Sequence, residues 1–217
     1  MIADPIRPRL VLVTTPLGDA EAEAALKAAL SGGDVASVIL DPAGRDADGF
    51  QRFAEKLVPL IQAAGAAAVI ADDTRSAGRL RADGIHLTGG DLAALGEAVE
   101  RFAPKLIVGG SGFETRHDAL EAGERLPDYL FFGRFGGDAA AEVHPKNLRM
   151  AEWWAEIVEI PCILMIGRDI AGIGAACSTG AEFVAAAAAV FADPDRAGEM
   201  VAQANALLDA WFDKVAA

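Results

Sequence analysis

The chain has little cysteine for its length. Two cysteines occur among 217 residues, Cys162 inside an apolar run and Cys177 in a segment of small residues. Neither belongs to a CxxC pair or a zinc-type cluster, so the sequence gives no sign of a disulfide framework. This pattern favours a reducing compartment, and we expect a cytoplasmic protein.

Basic residues are also scarce. Lysine and arginine number 19 against 32 aspartates and glutamates, which gives a formal net charge of -13. A field of this sign repels polyphosphates, so we expect no nucleic-acid partner. Any phosphate site must be made locally, from loop amides and a few selected cations.

Long apolar runs and linkers are missing as well. No window approaches the ~20 residues of a membrane helix, so we expect no membrane partner. Residues 1–8 carry no apolar run of the kind found in a signal peptide. No Gly/Ser-rich or Pro-rich linker divides the chain, and residues 1–217 are predicted to form one domain.

Eight short apolar runs alternate with Ala-, Leu- and Glu-rich segments of helical spacing, which is typical of βα units around a parallel sheet. The runs lie at 10–14, 35–40, 67–71, 84–87, 105–109, 129–133, 162–167 and 182–188. Candidate helices lie near 20–30, 46–64, 74–81, 91–102, 115–123, 146–157, 170–179 and 194–214. An open doubly wound sheet would show the same alternation. Eight units in a chain of this length favour a single (β/α)8 TIM barrel.

Carboxylates follow two neighbouring runs, at the strand ends where barrels of this kind carry their active sites. Asp72 and Asp73 follow the third run, and Asp91 comes soon after the fourth. Two carboxylates from adjacent loops can share Mg2+, which prefers oxygen ligands. The alternative is that these aspartates cap the helices that follow them.

Candidate phosphate contacts follow the fifth and seventh runs. Ser111 stands in a glycine-rich stretch where backbone amides and a hydroxyl can approach a ligand closely. Gly167 and Arg168 end the seventh run, and barrel loops after the last two strands often bind phosphate. An exposed, salt-bridged arginine is the alternative for Arg168.

The three histidines form no ligand cluster. His86 lies within the fourth run and is predicted to be a packed, hydrogen-bonded strand residue. His117 is expected at a helix start and His144 in a loop. No serine has a visible histidine and aspartate pair, so no catalytic residue is assigned.

One segment resembles a known family. The stretch 83–91 reads DGIHLTGGD and is similar to the DG(V/I)HLGQxD segment of thiamine phosphate synthases and the related thiazole tautomerases. Other stretches match the family in order, over about residues 9–192. They are 71–73 (Ala-Asp-Asp) for its Asn-Asp, 108–111 for its G-x-S, 128–133 for its DY(I/V)xxG, 161–167 for its PVVAIGG and 180–185 for its GADGVAV.

The resemblance implies a function and a site. In that family two aspartates bind Mg2+ and the metal holds the diphosphate of hydroxymethylpyrimidine diphosphate. A thiazole phosphate then displaces pyrophosphate to give thiamine phosphate. The matching positions are Asp72 and Asp91 for the metal, Ser111 for the diphosphate and Gly167 for the thiazole phosphate. The implied partners are thus small phosphorylated substrates.

Two loops depart from the family. The second run ends in Asp41 and Ala43 where the family has the Arg and Lys of its Q-L-R-x-K motif. The loop 133–138 lacks the Thr-x-Thr-Lys of the family, and Arg134 stands close to the position of the tautomerase histidine, which an arginine cannot replace as a base. Arg45, Arg75 and Arg134 are the candidate replacement cations. A barrel that binds a phosphorylated ligand or a protein partner without turnover is therefore the alternative function.

Adjacent tryptophans lie on the sixth helix. Trp153 and Trp154 have two interpretations, a face that forms a homodimer or packing within the core.

Overall fold

The structure, a computed structural model, describes residues 6–137 and 139–217. Residues 1–5, part of the N-terminal stretch considered for a signal peptide, and Asp138 of the loop after the sixth run lie outside the described residues. Eight parallel strands follow one another around a closed barrel. The first strand pairs with both the second and the last, which closes the ring. The predicted (β/α)8 barrel is confirmed.

The elements follow the predicted order. The strands are β1 Arg9–Val13, β2 Ser37–Leu40, β3 Ala67–Ala71, β4 Gly84–Leu87, β5 Ile107–Ser111, β6 Tyr129–Phe132, β7 Cys162–Met165 and β8 Phe183–Ala186. The helices are α1 Ala22–Ser31, α2 Ala47–Ala63, α3 Thr74–Leu80, α4 Leu92–Phe102, α5 Arg116–Gly123, α6 Pro145–Ile157, α7 Ile173–Cys177, α8 Ala188–Phe191 and α9 Ala197–Ala216. Two 3-10 turns lie at Ile170–Gly172 and Pro194–Arg196.

Most predicted elements differ from the structure by up to three residues at their bounds, and two elements differ in kind. The last strand was expected to extend over 182–188, but β8 ends at Ala186 and α8 begins two residues later. The helix expected at 170–179 is a 3-10 turn, capped by Asp169, followed by the short helix α7.

The strands are apolar on both faces because both faces are buried. On β1, Leu10 and Leu12 pack toward the helices, whereas Val11 and Val13 point into the barrel. This double burial explains why the strands read as continuous apolar runs rather than as alternating patterns.

Carboxylates placed just before strands fasten the N-terminal end of the barrel. An Asp83 oxygen accepts the Ala68 amide at 2.8 Å, and an Asp128 oxygen accepts the Val108 amide at 2.7 Å. Glu182 accepts the first amide of β7 in the same way. The aspartate that opens the DGIHL segment therefore lies at the end of the barrel that serves stability rather than chemistry.

The tryptophan pair divides between core and surface. Trp154 is fully buried and its indole donates to the Ile160 carbonyl at 2.7 Å. Trp153 is half-buried beneath the Arg116 guanidinium, 4.9 Å from the ring centre. Core packing thus accounts for Trp154.

Within the residues that the structure describes, no helix combines the length and the apolar character needed to cross a membrane.

Candidate active site

A cavity of about 920 Å³ opens at the C-terminal ends of the strands. Five consecutive loops contribute polar side chains to its lining: Asp41, Asp72, Thr88, Ser111 and Arg134 follow or end β2 to β6 in turn. The structure therefore brings together three of the predicted site residues, Asp72, Ser111 and Arg134.

Asp72 is held at the cavity wall by the neighbouring strand. Its backbone has a left-handed φ of 55°, and its amide donates to the His86 carbonyl at 2.9 Å. Its carboxylate accepts both the amide and the hydroxyl of Thr88, the amide at 2.8 Å. The cap of α3 is Asp73, which accepts the Ser76 amide and hydroxyl. Asp72 is thereby left facing the cavity.

Asp91 occupies a different position. One of its oxygens, Oδ1, accepts the amides of Ala93 and Ala94 at 2.9 and 3.0 Å, so the residue caps α4. It does not line the cavity. In the part of the chain that the structure describes, no three His, Cys, Asp or Glu side chains form a metal cluster.

Gly167 and the Arg168 backbone are covered by residues 140–142 of the β6–α6 loop. The Arg168 amide donates to the Ala140 carbonyl at 2.8 Å, and the Asp169 amide donates to the Ala141 carbonyl at 3.1 Å. A Cβ on Gly167 would lie 2.4–2.6 Å from the carbonyl oxygens of residues 140–142. The two amides that follow Gly167 thus bond to the β6–α6 loop, and neither Gly167 nor Arg168 lines the cavity.

Two cations reach the cavity from the β6–α6 region. Arg134 is exposed and forms no ion pair with the described residues. Lys146 lies in the first turn of α6, with its Nζ 3.1 Å from a Glu114 oxygen, and both line the cavity. His144 caps α6 and is a third lining residue from this region. The sequence missed Lys146 because it matches no motif, although its place just after the sixth strand loop was a usable signal.

Asp41 is fixed in the cavity wall where the family has an arginine. Its carboxylate accepts the Thr15 hydroxyl at 2.6 Å and the Ala43 amide at 3.1 Å. Arg45 does not compensate, because it bonds to Asp19 and lies against the Phe53 ring, outside the cavity. Of the three candidate replacement cations, Arg134 alone lines the cavity.

A buried histidine connects the cavity wall to the barrel interior. His86 is fully buried, as predicted, with Nδ1 2.9 Å from the Tyr129 hydroxyl and Nε2 2.9 Å from the Ser111 hydroxyl. Loss of solvation lowers the pKa of His86 to about 3, so the ring is neutral. Burial also raises the pKa of Tyr129, with a smaller contribution from Asp128. The Ser111 hydroxyl is thus bonded to a neutral imidazole, which is bonded in turn to a neutral phenol.

Gly109 makes this arrangement sterically feasible. A Cβ at this position would lie 2.1–2.4 Å from atoms of the Tyr129 ring. Only a glycine lets the Tyr129 ring lie across β5 and reach His86. The glycine-rich stretch before Ser111 therefore has a packing role inside the barrel.

A family model and the curated relatives agree on one family. A family model described as thiamine monophosphate synthase matches residues 10–190. The chain is 32% identical over 210 residues to a thiamine-phosphate synthase of Hyphomonas neptunium, which covers 94% of this chain and 95% of that protein. A thiamine-phosphate synthase of Rhodospirillum centenum is 34% identical over 204 residues, 92% of this chain and 97% of that one. The fold is similar to that of a thiamine phosphate pyrophosphorylase from Pyrococcus furiosus, with a TM-score of 0.76, 22% identity, and 94% and 97% of the two chains covered.

Proposed function

The chain belongs to the thiamine monophosphate synthase family, and from this premise we propose that its cavity joins a hydroxymethylpyrimidine diphosphate to a thiazole phosphate. The observation that carries the proposal is the meeting of Ser111, Arg134 and Lys146 with Asp72 in one cavity at the strand ends. Its volume of about 920 Å³ suits two small substrates, since ligand pockets measure roughly 300–1,000 Å³.

The reaction transfers the pyrimidine from oxygen to nitrogen. A bond forms between the thiazole nitrogen and the pyrimidine methylene carbon, while the bond from that carbon to the diphosphate oxygen breaks. The electron pair leaves with pyrophosphate, so negative charge grows on the leaving group. Arg134, Lys146 and the Ser111 hydroxyl are donors of the cavity that can stabilise this charge.

Magnesium fits the carboxylates that are present. The Asp72 carboxylate lies at the cavity, and Asp91 keeps its Oδ2 outside the cap bonds, which Oδ1 makes. Two oxygen ligands suit Mg2+, because this ion usually takes one or two carboxylates and completes its shell with water and substrate phosphates. When bound, the ion would neutralise charge on the diphosphate.

The thiazole phosphate competes with the protein for its site. A phosphate bound beside Gly167 would accept from the amides of Arg168 and Asp169, which now donate to the carbonyls of Ala140 and Ala141. Binding there requires the segment 140–142 to move away, because its carbonyl oxygens and the phosphate oxygens would accept from the same N–H groups. The exposed Arg168 side chain would then lie beside the phosphate.

A second function is favoured by one observation. Asp41 places a carboxylate where a diphosphate would meet a cation in the family, and its position is fixed by Thr15. Charge-assisted bonds to charged groups contribute about 1.5–3 kcal/mol each, so losing one weakens diphosphate binding substantially. The alternative is a barrel that binds a phosphorylated ligand, or a protein partner, without turnover.

One assay separates these functions. The protein is incubated with Mg2+, hydroxymethylpyrimidine diphosphate and thiazole phosphate, and thiamine phosphate is measured together with released pyrophosphate. We expect both products, and a strong loss of both in Ser111→Ala but not in Ser178→Ala, an exposed serine outside the cavity. Binding of either substrate without product would support the alternative. Absence of binding would rule out the reaction and a role in binding either substrate, and would leave the protein partner as the alternative.

The state of the two cysteine thiols supports a cytoplasmic location. Cys162 and Cys177 are buried and unpaired, and burial raises the pKa of Cys177 to about 11, which keeps it in the inert thiol form. Unpaired, unreactive cysteines suit the cytoplasm.

A further inference from the structure

Three side chains form a continuous line from the barrel interior to the cavity. Tyr129 on β6, His86 on β4 and Ser111 at the end of β5 are linked by two contacts of 2.9 Å. Tyr129 and His86 lie inside the barrel, whereas Ser111 also lines the cavity. The positions of the protons along this line therefore determine whether the Ser111 hydroxyl is a donor or an acceptor toward a ligand.

The tautomer of His86 decides the direction of both bonds. If Nε2 carries the proton, Tyr129 donates to Nδ1 and Nε2 donates to Ser111, so the Ser111 proton is left for the cavity. If Nδ1 carries the proton, Ser111 donates to Nε2 and Nδ1 donates to Tyr129. The Tyr129 proton then needs another acceptor, and none of the described residues offers one. Buried hydroxyls are rarely left without an acceptor, which favours the Nε2–H tautomer.

The surroundings of the ring hold this arrangement in place. Phe135 stacks on His86 with ring centres 5.1 Å apart, and Phe131 meets it edge-on at 5.6 Å. The Tyr129 ring lies nearly parallel to the imidazole, at 13°, with ring centres 5.7 Å apart. With three aromatic rings packed around it, the imidazole is held against its two hydroxyl partners.

We propose that Tyr129 and His86 are positioning residues that hold the Ser111 hydroxyl as a hydrogen-bond donor toward the cavity. A donor at this point selects an acceptor on the ligand, such as a diphosphate oxygen, and disfavours a ligand group that can only donate. The nature of that acceptor rests on the proposed function. The direction of the bonds does not, because it follows from the protein alone.

The direction of the bonds is measured on the ligand-free protein. Nitrogen-15 NMR distinguishes a protonated from an unprotonated ring nitrogen, and the signals of His86 are identified by their loss in His86→Met. We expect Nε2 to be protonated and Nδ1 to be the acceptor. A protonated Nδ1 in the folded protein would overturn the proposal.

A matched pair of variants tests the consequence for binding. Gln can accept from Tyr129 and donate to Ser111 as His86 does, whereas Met has similar size and can do neither. Calorimetric titration with Mg2+-pyrophosphate should show little change for His86→Gln and a loss of about tenfold for His86→Met. Equal losses in the two variants would overturn the proposal.

A double-mutant cycle separates positioning from general damage. Tyr129→Phe should weaken pyrophosphate binding in the wild-type background and have no further effect in Ser111→Ala, because it acts through Ser111. Additive losses would overturn the proposal. If wild-type protein binds no pyrophosphate, the proposed function fails, and the tautomer of His86 still decides the inference drawn here.

Discussion

Acid should destabilise this protein through His86, and the effect should disappear when the ring is replaced. Burial lowers the pKa of the folded-state ring from 6.5 to about 3. As the pH falls below about 6.5, the unfolded chain takes up a proton that the folded chain does not, so folding stability is lost. At about pH 5 this amounts to about 2 kcal/mol, and at about pH 7.5 to almost nothing, for a depression of this size.

Urea unfolding at these two pH values measures the effect. The wild type should lose about 2 kcal/mol more than His86→Gln between pH 7.5 and pH 5. His117→Gln is the matched control, since its side chain is 79% exposed, and it should follow the wild type. Carboxylates whose pKa is lowered in the fold, such as Asp34, contribute at lower pH. An equal loss in the wild type and His86→Gln would refute the argument, because it would mean that the folded ring accepts the proton.

Two further substitutions have clear expected results. Gly167→Ala should cost about 1–3 kcal/mol in urea unfolding, since its Cβ would meet the carbonyl oxygens of 140–142. Gly174→Ala, in open space on a helix, should cost nothing. Asp41→Arg should tighten Mg2+-pyrophosphate binding about tenfold by calorimetry, since it exchanges an anion for a cation in the cavity wall. Asp48→Arg makes the same charge change on the exposed first turn of α2 and should have little effect.

The fold was readable because burial on both faces of the strands leaves a strong signal. Strands β3 and β4 coincide with the predicted runs, and their bounds follow the change from apolar runs to polar, helical spacing. The alanine-rich segment around α8 was not readable. Alanine has no preference for one face, so a run of alanines carries no period from which to separate strand from helix.

From the sequence, the site could be predicted only for residues whose place at a strand end brings them to the cavity. Asp72 and Ser111 line the cavity because they stand at strand ends, which a barrel always brings together. An aspartate can cap a helix or bind a metal, so the sequence does not decide between these two roles for Asp91. The structure shows that it accepts two backbone amides at the start of α4. The cover over Gly167 comes from a loop more than twenty residues earlier in the chain. Contacts of that kind leave no periodic pattern in the sequence.

The charges of the cavity explain why a divalent cation belongs in the proposed reaction. Three carboxylates, Asp41, Asp72 and Glu114, line it against two basic side chains, Arg134 and Lys146. One of these cations is already paired, because Lys146 lies 3.1 Å from Glu114. The charged side chains of the lining therefore sum to about one negative charge, within a chain whose formal net charge is -13. A bare diphosphate would be repelled from this cavity, so we expect its affinity to rise steeply with Mg2+ concentration and to depend on Asp72.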